Sequence, residues 1–341
     1  EFRRVLFRSY ESCDMLMCIS KQTYNIVKQV LKDVNYKDWQ ITYVPHGINH
    51  TSFFPIDKTH SEWTAFTEFK KSLIPEHTKF VVFYNARNIR RKHTSDLILA
   101  YKEFCDKLTP EQAKECLLLL HTDPIDENGT DLPAVINELC PMYPISFTNK
   151  RILTTQELNY LYNCADISAN IASNEGFGLA TAESIMAGTP IIVNVTGGMQ
   201  DQMRFEDENG NWFTPDENVP SNHNGTYKKH GEWAFPVFPS TRVLQGSPPT
   251  PYIWDDVVKA EDATEQIMNV YKLTPEERKA RGLKGREWAI GEEAGFTGEM
   301  QGKRVIEALD ELFSTWEPRE KFEFINVNKV EDRIVKHELL Y

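Results

Sequence analysis

No apolar run in the 341-residue chain approaches the ~18–20 residues that a helix needs to cross a bilayer. The longest runs are on the scale of Cys116–Leu120. The six cysteines, at 13, 18, 105, 116, 140 and 164, form no Cys-x-x-Cys pair and no Cys/His metal spacing. Reduced thiols and a cytoplasmic location are the expectation. Positive charge is in deficit, with 38 Lys and Arg against 50 Asp and Glu for a net −12. This argues against a nucleic-acid binder and against adsorption to an anionic membrane. No period of 20–50 residues repeats, which excludes a solenoid. A complete glycine fingerprint for a dinucleotide is also missing. What remains is an ordinary soluble composition, 40% apolar and 26% charged, with length for about two domains.

The most informative stretch is Ser173–Asn194, SNEGFGLATAESIMAGTPIIVN. It reads as a polar turn, a Gly-Phe-Gly corner, a short helix, a Gly-Thr-Pro stop and an apolar strand. With the preceding strand, Ile167–Ile171, it makes a βαβ crossover. Such a loop aims backbone N–H groups and the positive end of a helix dipole at whatever lies above the strand ends, commonly phosphate. Glu175 and Glu183 frame the corner, and a carboxylate can take two sugar hydroxyls at once. Taken alone, a glutamate early in a helix is more often a dipole partner than a ligand.

In chain order, Cys13–Ser20 reads as a buried strand, Lys21–Val34 as a helix, and Ile41–Pro45 as a strand ending in the corner Pro-His-Gly-Ile-Asn. His46, between Pro45 and Gly47, reads as structural. A helix is expected over Glu62–Leu73 and a strand over Lys79–Ala86. The basic corner Arg87–His93 follows, then a helix over Thr94–Leu108. Further strands are expected at Cys116–His121 and Ile145–Thr148, and helices at Leu132–Leu139 and from Thr154, where Thr154 or Thr155 is the cap. Residues 209–252, rich in Pro, Gly, Asn and Trp, read as an insertion, either a functional flap or a solvated arm. Helices close the chain at Asp255–Leu273, Pro275–Ile290 and Phe296–Phe313.

The string EGFGL, with seven residues between Glu175 and Glu183, then ESIMAGTPII, closely resembles the donor-site motif of the retaining glycosyltransferases of family four (glycosyl transferases group 1), which have the GT-B fold. Val44-Pro45-His46-Gly47-Ile48-Asn49 resembles that family's hinge. Arg87 and Lys92 match the Arg and Lys of its GR-x-x-x-x-KG corner, although Ala86 and His93 replace the glycines. Thr196-Gly197-Gly198 resembles its glycine pair.

The resemblance implies an α/β protein of GT-B type, with one nearly complete Rossmann-like donor domain and a remnant of the N-terminal Rossmann-like domain. The expected divisions are a sequencing-adapter artefact over 1–9, a remnant and hinge over 10–50, a donor domain over 51–296, a crossover helix over 297–316 and a tail over 317–341. The adapter reading comes from EFRRVLFRS, which back-translates without forcing into the end of a short-read adapter, so the N-terminus is expected to be truncated.

By the same resemblance, the expected catalytic residues are Arg87, Lys92 and Glu175: the two cations hold the donor diphosphate and Glu175 holds the transferred sugar. Donor binding is expected from Gly176, Phe177, Gly178, Leu179 and Ala180, with Glu183 on the ribose and Thr148 and Lys150 near the base. No cofactor and no metal are expected. The partners would be a UDP-, GDP- or ADP-sugar, with a hexose as the transferred group, and an unidentified acceptor. A non-catalytic nucleotide-sugar-binding fragment, a Rossmann-type dinucleotide-binding protein and an interaction module stay open as alternatives.

Overall fold

The computed structural model of the chain describes residues 10, 12–33, 36–148, 152–219, 221–247 and 250–317. The adapter-like residues 1–9 and the tail beyond Glu317 lie outside these. The chain opens with a small βαβ unit, β1 (Leu16–Cys18), α1 (Lys21–Leu31) and β2 (Ile41–Tyr43). The strands pair in parallel, Leu16 opposite Ile41 and Cys18 opposite Tyr43. Val27 and Leu31 of α1 pack on Cys18 and Ile41 to form a core of their own. Ser20 caps α1, its hydroxyl accepting the Thr23 N–H at 3.1 Å.

After residues 44–54 and α2 (Trp63–Leu73), the main body winds through β3 (Phe80–Asn85), α3 (Thr94–Asp106), α4 (Pro110–Lys114) and β4 (Cys116–His121). It continues through α5 (Leu132–Leu139), β5 (Ile145–Phe147), α6 (Thr155–Cys164), β6 (Ile167–Asn170), α7 (Leu179–Met186), β7 (Ile191–Asn194) and β8 (Ala234–Val237). These six strands form one parallel sheet in the order β5-β4-β3-β6-β7-β8.

A parallel sheet covered on both faces needs strands that are apolar throughout, not alternating. On β3, Phe80, Val82 and Tyr84 enter the core under α3, while Val81 and Phe83 enter the opposite core with α6 and α7. Each such side chain contributes about 1.5–3 kcal/mol on burial. Thr154 caps α6, and its partner in the capping box is Glu157.

Two stretches depart from expectation. Ala234–Val237, placed within an insertion by its composition, is the edge strand of the main sheet, paired with Ile191–Asn194. Pro236 hides it in the sequence, yet an edge strand tolerates a missing N–H. Asp255–Val257, expected to begin a helix, ends the second strand of a projecting hairpin, β9 (Thr241–Ser247) and β10 (Thr250–Val257). The helix starts later, as α8 (Ala260–Tyr271).

The chain closes with α9 (Pro275–Ile290) and α10 (Gly298–Thr315), and α10 runs back to lie against the turn at 38–40. Gly47 passes so near this segment that a Cβ there would stand 2.4 Å from the Thr297 carbonyl oxygen. Only glycine fits. Among the described residues no helix is long and apolar enough to cross a membrane.

Candidate active site

Strand order reverses between β3 and β6: the chain moves outward through β4 and β5 on one side, then through β7 and β8 on the other. In an open parallel sheet the loops at such a point diverge and leave a crevice at the carboxyl ends of the strands. A cleft of about 330 Å³ occupies that place. Asn85 and Ala86 from the end of β3 and Asn170 from the end of β6 form its floor, and Lys92, Glu175, Phe177–Ala180 and His46 its sides. A larger cavity, about 410 Å³, opens at the other ends of the strands beside Asp166 and Pro190.

Glu175 is the electrostatic centre of the cleft. One of its oxygens is paired with the Lys92 ammonium, and the other lies 3.2 Å from Arg91 Nη1. Lys92 and Glu175 are both nearly buried, their side chains 12% and 10% exposed. Burial holds the Lys92 ammonium below the usual lysine range, while the negative charge of Glu175 pulls the other way. Arg91 also donates to the Asn174 carbonyl at 2.8 Å, which fixes the guanidinium beside the loop.

The Glu175–Ala180 loop is braced from beneath. Gly198 N–H donates to the Glu175 carbonyl at 2.9 Å, and a Cβ on Gly198 would lie 2.0 Å from the Gly176 carbonyl oxygen. The buried Gln202 amide donates to the carbonyls of Phe177 and Gly178, at 2.7 and 2.9 Å. Gly178, at φ +92°, is the N-cap of α7 and turns the chain so that the first residues of the helix face the cleft. The free N–H groups of a helix N-terminus and its dipole make that wall electropositive.

Behind the floor a relay of side chains reaches Glu183. Asn85 Nδ2 donates to the Tyr162 hydroxyl at 2.9 Å, and that hydroxyl donates to Glu183 Oε2 at 2.7 Å. Burial pushes the Glu183 carboxyl above its usual range, partly offset by the Tyr162 hydrogen bond.

Of the residues singled out in the sequence, Lys92, Glu175, Phe177, Gly178, Leu179 and Ala180 line one cleft. Gly176 lies in the same loop, facing Ile19 of the N-terminal unit. Thr148 stands two strands away at the end of β5, its hydroxyl bonded to His121 Nδ1 at 2.8 Å. Lys150 lies outside the described residues.

Arg87 is not among the residues that line the cleft. Its guanidinium turns away from the cleft, with Nε 2.8 Å from Asp126 Oδ2 and the side chain 61% exposed. The cause is the 122–131 loop, clamped to the corner by Asn88, whose amide donates to the carbonyls of Asp123 and Thr130 at 3.1 and 2.7 Å. The loop brings Asp126 within reach. The guanidinium that meets Glu175 is that of Arg91, four residues on.

His46, read as structural, stands in the cleft wall with its ring edge-on to Phe177 at 5.4 Å. Asn85 and Asn170 also went unnoticed. Their signal was positional: each ends one of the two strands at the order reversal. His93, where the resembling family has glycine, adopts a left-handed backbone with φ +52° and bonds Asp96 at 2.6 Å. That conformation suits glycine best.

Residues 149–221 match the family model of glycosyl transferases group 1. An uncharacterized glycosyltransferase of Methanocaldococcus jannaschii is 23% identical over 272 residues, covering 79% of this chain and 62% of that protein. Among solved structures, sucrose-phosphate synthase from Thermosynechococcus elongatus superposes with a TM-score of 0.61 at 19% identity, over 92% of this chain and 61% of that one. Anabaena HepE, solved with UDP and glucose, superposes with a TM-score of 0.61 at 13% identity, over 91% of this chain and 66% of that one. The chain thus spans about three fifths of the length of the first of these relatives. With this doubly wound sheet, the chain has the GT-B glycosyltransferase fold, and its residues 149–221, which carry the cleft loop, are similar to glycosyl transferases group 1.

Proposed function

We propose that the cleft binds a nucleoside diphosphate sugar and that the protein transfers the sugar, a hexose, to an acceptor hydroxyl with retention at the anomeric carbon. The observation that carries this reading is the Lys92–Glu175 pair set against the N-terminus of α7 at the sheet's order reversal. A cation and helix N–H groups suit a diphosphate, and a carboxylate suits the hydroxyls of a sugar. The complex of HepE with UDP and glucose is in keeping with a hexose donor.

In the free cleft Lys92 and Glu175 satisfy each other. When donor binds, Lys92 turns to the β-phosphate, and Glu175, still paired with Arg91, is free to accept sugar hydroxyls. As the bond between the anomeric carbon and the phosphate oxygen breaks, its electron pair leaves with the nucleoside diphosphate. Lys92 and the α7 N–H groups oppose the growing negative charge without reorganising, so the reaction requires no metal. The acceptor oxygen bonds to the anomeric carbon, and its proton passes to the departing phosphate. In this reading Glu183 holds the ribose, and Thr148 and Lys150 serve the base.

A second reading, donor binding without transfer by this chain, is motivated by its coverage of only about three fifths of its relatives. Thermal-shift screening against UDP-, GDP- and ADP-sugars tests the binding, and nucleoside diphosphate release tests turnover. A shift without release selects the second reading. No shift with any sugar nucleotide sinks both.

A further inference from the structure

The turn at 197–203 has two separate sets of contacts. On one side it carries the cleft loop, through Gly198 N–H to Glu175 and the Gln202 amide to Phe177 and Gly178. On the other it meets the N-terminal unit, where one atom accepts two hydrogen bonds. Asp201 Oδ2 accepts the Lys21 N–H at 2.9 Å and the Tyr43 hydroxyl at 3.0 Å. Lys21 is the first residue of α1 and Tyr43 the last of β2, so one buried carboxylate holds both elements of the unit. The first turn of α1 has no acidic residue of its own, and Asp201 supplies that charge from the other half of the molecule.

We infer that Asp201 is a positioning residue that sets the geometry of the 175–180 loop by fastening the β1-α1-β2 unit to the turn on which that loop rests. On one 3-10 turn, Asp201 is three residues from Gly198 and adjacent to Gln202. Gly197 and Gly198 leave no slack, since a Cβ at either would fall 2.4 or 2.0 Å from a carbonyl oxygen of the loop. A displacement of Asp201 therefore reaches Glu175 and Gly176 through backbone contact. Ile19 of the same N-terminal unit approaches Gly176 from the other side, its Cδ1 3.1 Å from where a Cβ would stand. Asp201 is buried and the two donors hold its carboxylate, and burial pushes that carboxyl up to about 6 against the lowering effect of the Lys21 and Tyr43 contacts. The functional meaning of this coupling rests on the proposed donor site, but the coupling itself can be measured without a ligand.

The test is amide hydrogen exchange of the full chain without nucleotide, for the wild type, Tyr43→Phe, Asp201→Ala and Asp201→Asn. Tyr43→Phe removes one donor from the N-terminal unit and touches nothing in the 175–180 loop. It should speed exchange at 176–180 by about fivefold, the factor carried by one net hydrogen bond. Asp201→Ala should do more. Asp201→Asn keeps a carbonyl oxygen that can accept both donors and should stay within about twofold of wild type. If Tyr43→Phe and Asp201→Ala speed exchange at 21–24 but leave 176–180 unchanged, Asp201 only holds the two units together and the inference is overturned. Tyr43→Phe decides the matter even where Asp201→Ala does not fold. A parallel UDP titration separates the two proposals: unaltered loop exchange refutes the coupling, while absent binding in the wild type refutes only the donor site.

Discussion

Lys92 and Glu175 come from opposite sides of the sheet's order reversal and neutralise each other at the cleft, with Arg91 3.2 Å from the second Glu175 oxygen. Replacing Lys92 with Met leaves Glu175 its Arg91 partner, so the fold should survive. A charge-assisted contact to phosphate contributes about 1.5–3 kcal/mol. Nucleoside diphosphate affinity should therefore fall about 10- to 150-fold, as read by calorimetry. Unchanged affinity would remove Lys92 from the diphosphate site.

Glu183→Gln should separate the two halves of the ligand. The amide can still accept from Tyr162, so the relay to Asn85 persists. Affinity for UDP should drop while affinity for inorganic pyrophosphate stays level. The pH dependence has a definite sign. Burial raises the folded carboxyl's pKa, so its contribution to stability is present below the ordinary glutamate range and is lost as pH rises through the folded value. The variant's melting temperature should rise relative to wild type as pH is raised, and a constant difference would contradict this.

Gly198→Ala should destabilise by about 1–3 kcal/mol, because its Cβ would meet the Gly176 carbonyl oxygen at 2.0 Å and the backbone must shift. The same substitution at Gly302, in α10 with nothing within 4 Å of the added carbon, should stabilise by about 0.5–1 kcal/mol. Chemical denaturation of both variants checks the contrast. Similar changes at the two positions would mean that the close approach beneath the cleft loop does not exist.

The parts of this arrangement visible in the sequence are those that depend on neighbours in the chain. β3 and β4 announce themselves because strands buried on both faces are continuously apolar. The cleft loop announces itself because Glu175, the glycines and the start of α7 are contiguous. Arg87 could not be placed the same way, since its partner Asp126 arrives on a loop that is anchored by Asn88. β8 was hidden by Pro236, harmless at an edge. Asp255 and Asp256 looked like the start of a helix, but both are buried, tied to Asn174 and Thr196 of the cleft-side loops. His46 gave no signal because its neighbour Phe177 is remote in sequence.

His223 should make the protein sensitive to acid. Its ring is buried among Phe205, Phe213, Tyr227 and Phe238, and burial holds its pKa down to about 4. The folded value lies below the ordinary 6.5, so the unfolded chain binds the proton first as pH falls. Stability from this group is complete above about 6.5 and is lost as pH drops toward about 4. His223→Phe should lose less stability than wild type across that window in pH-dependent melting. Parallel curves would rule the histidine out.

Calorimetric titration of the wild-type chain with UDP-, GDP- and ADP-glucose, repeated with Lys92→Met and Glu175→Gln, tests the central claim most directly. The account predicts saturable one-site binding of at least one sugar nucleotide, weakened by both substitutions, with Glu175→Gln affecting the sugar nucleotide more than the bare nucleoside diphosphate. Binding that neither substitution alters, or no binding of any of the three, would contradict it.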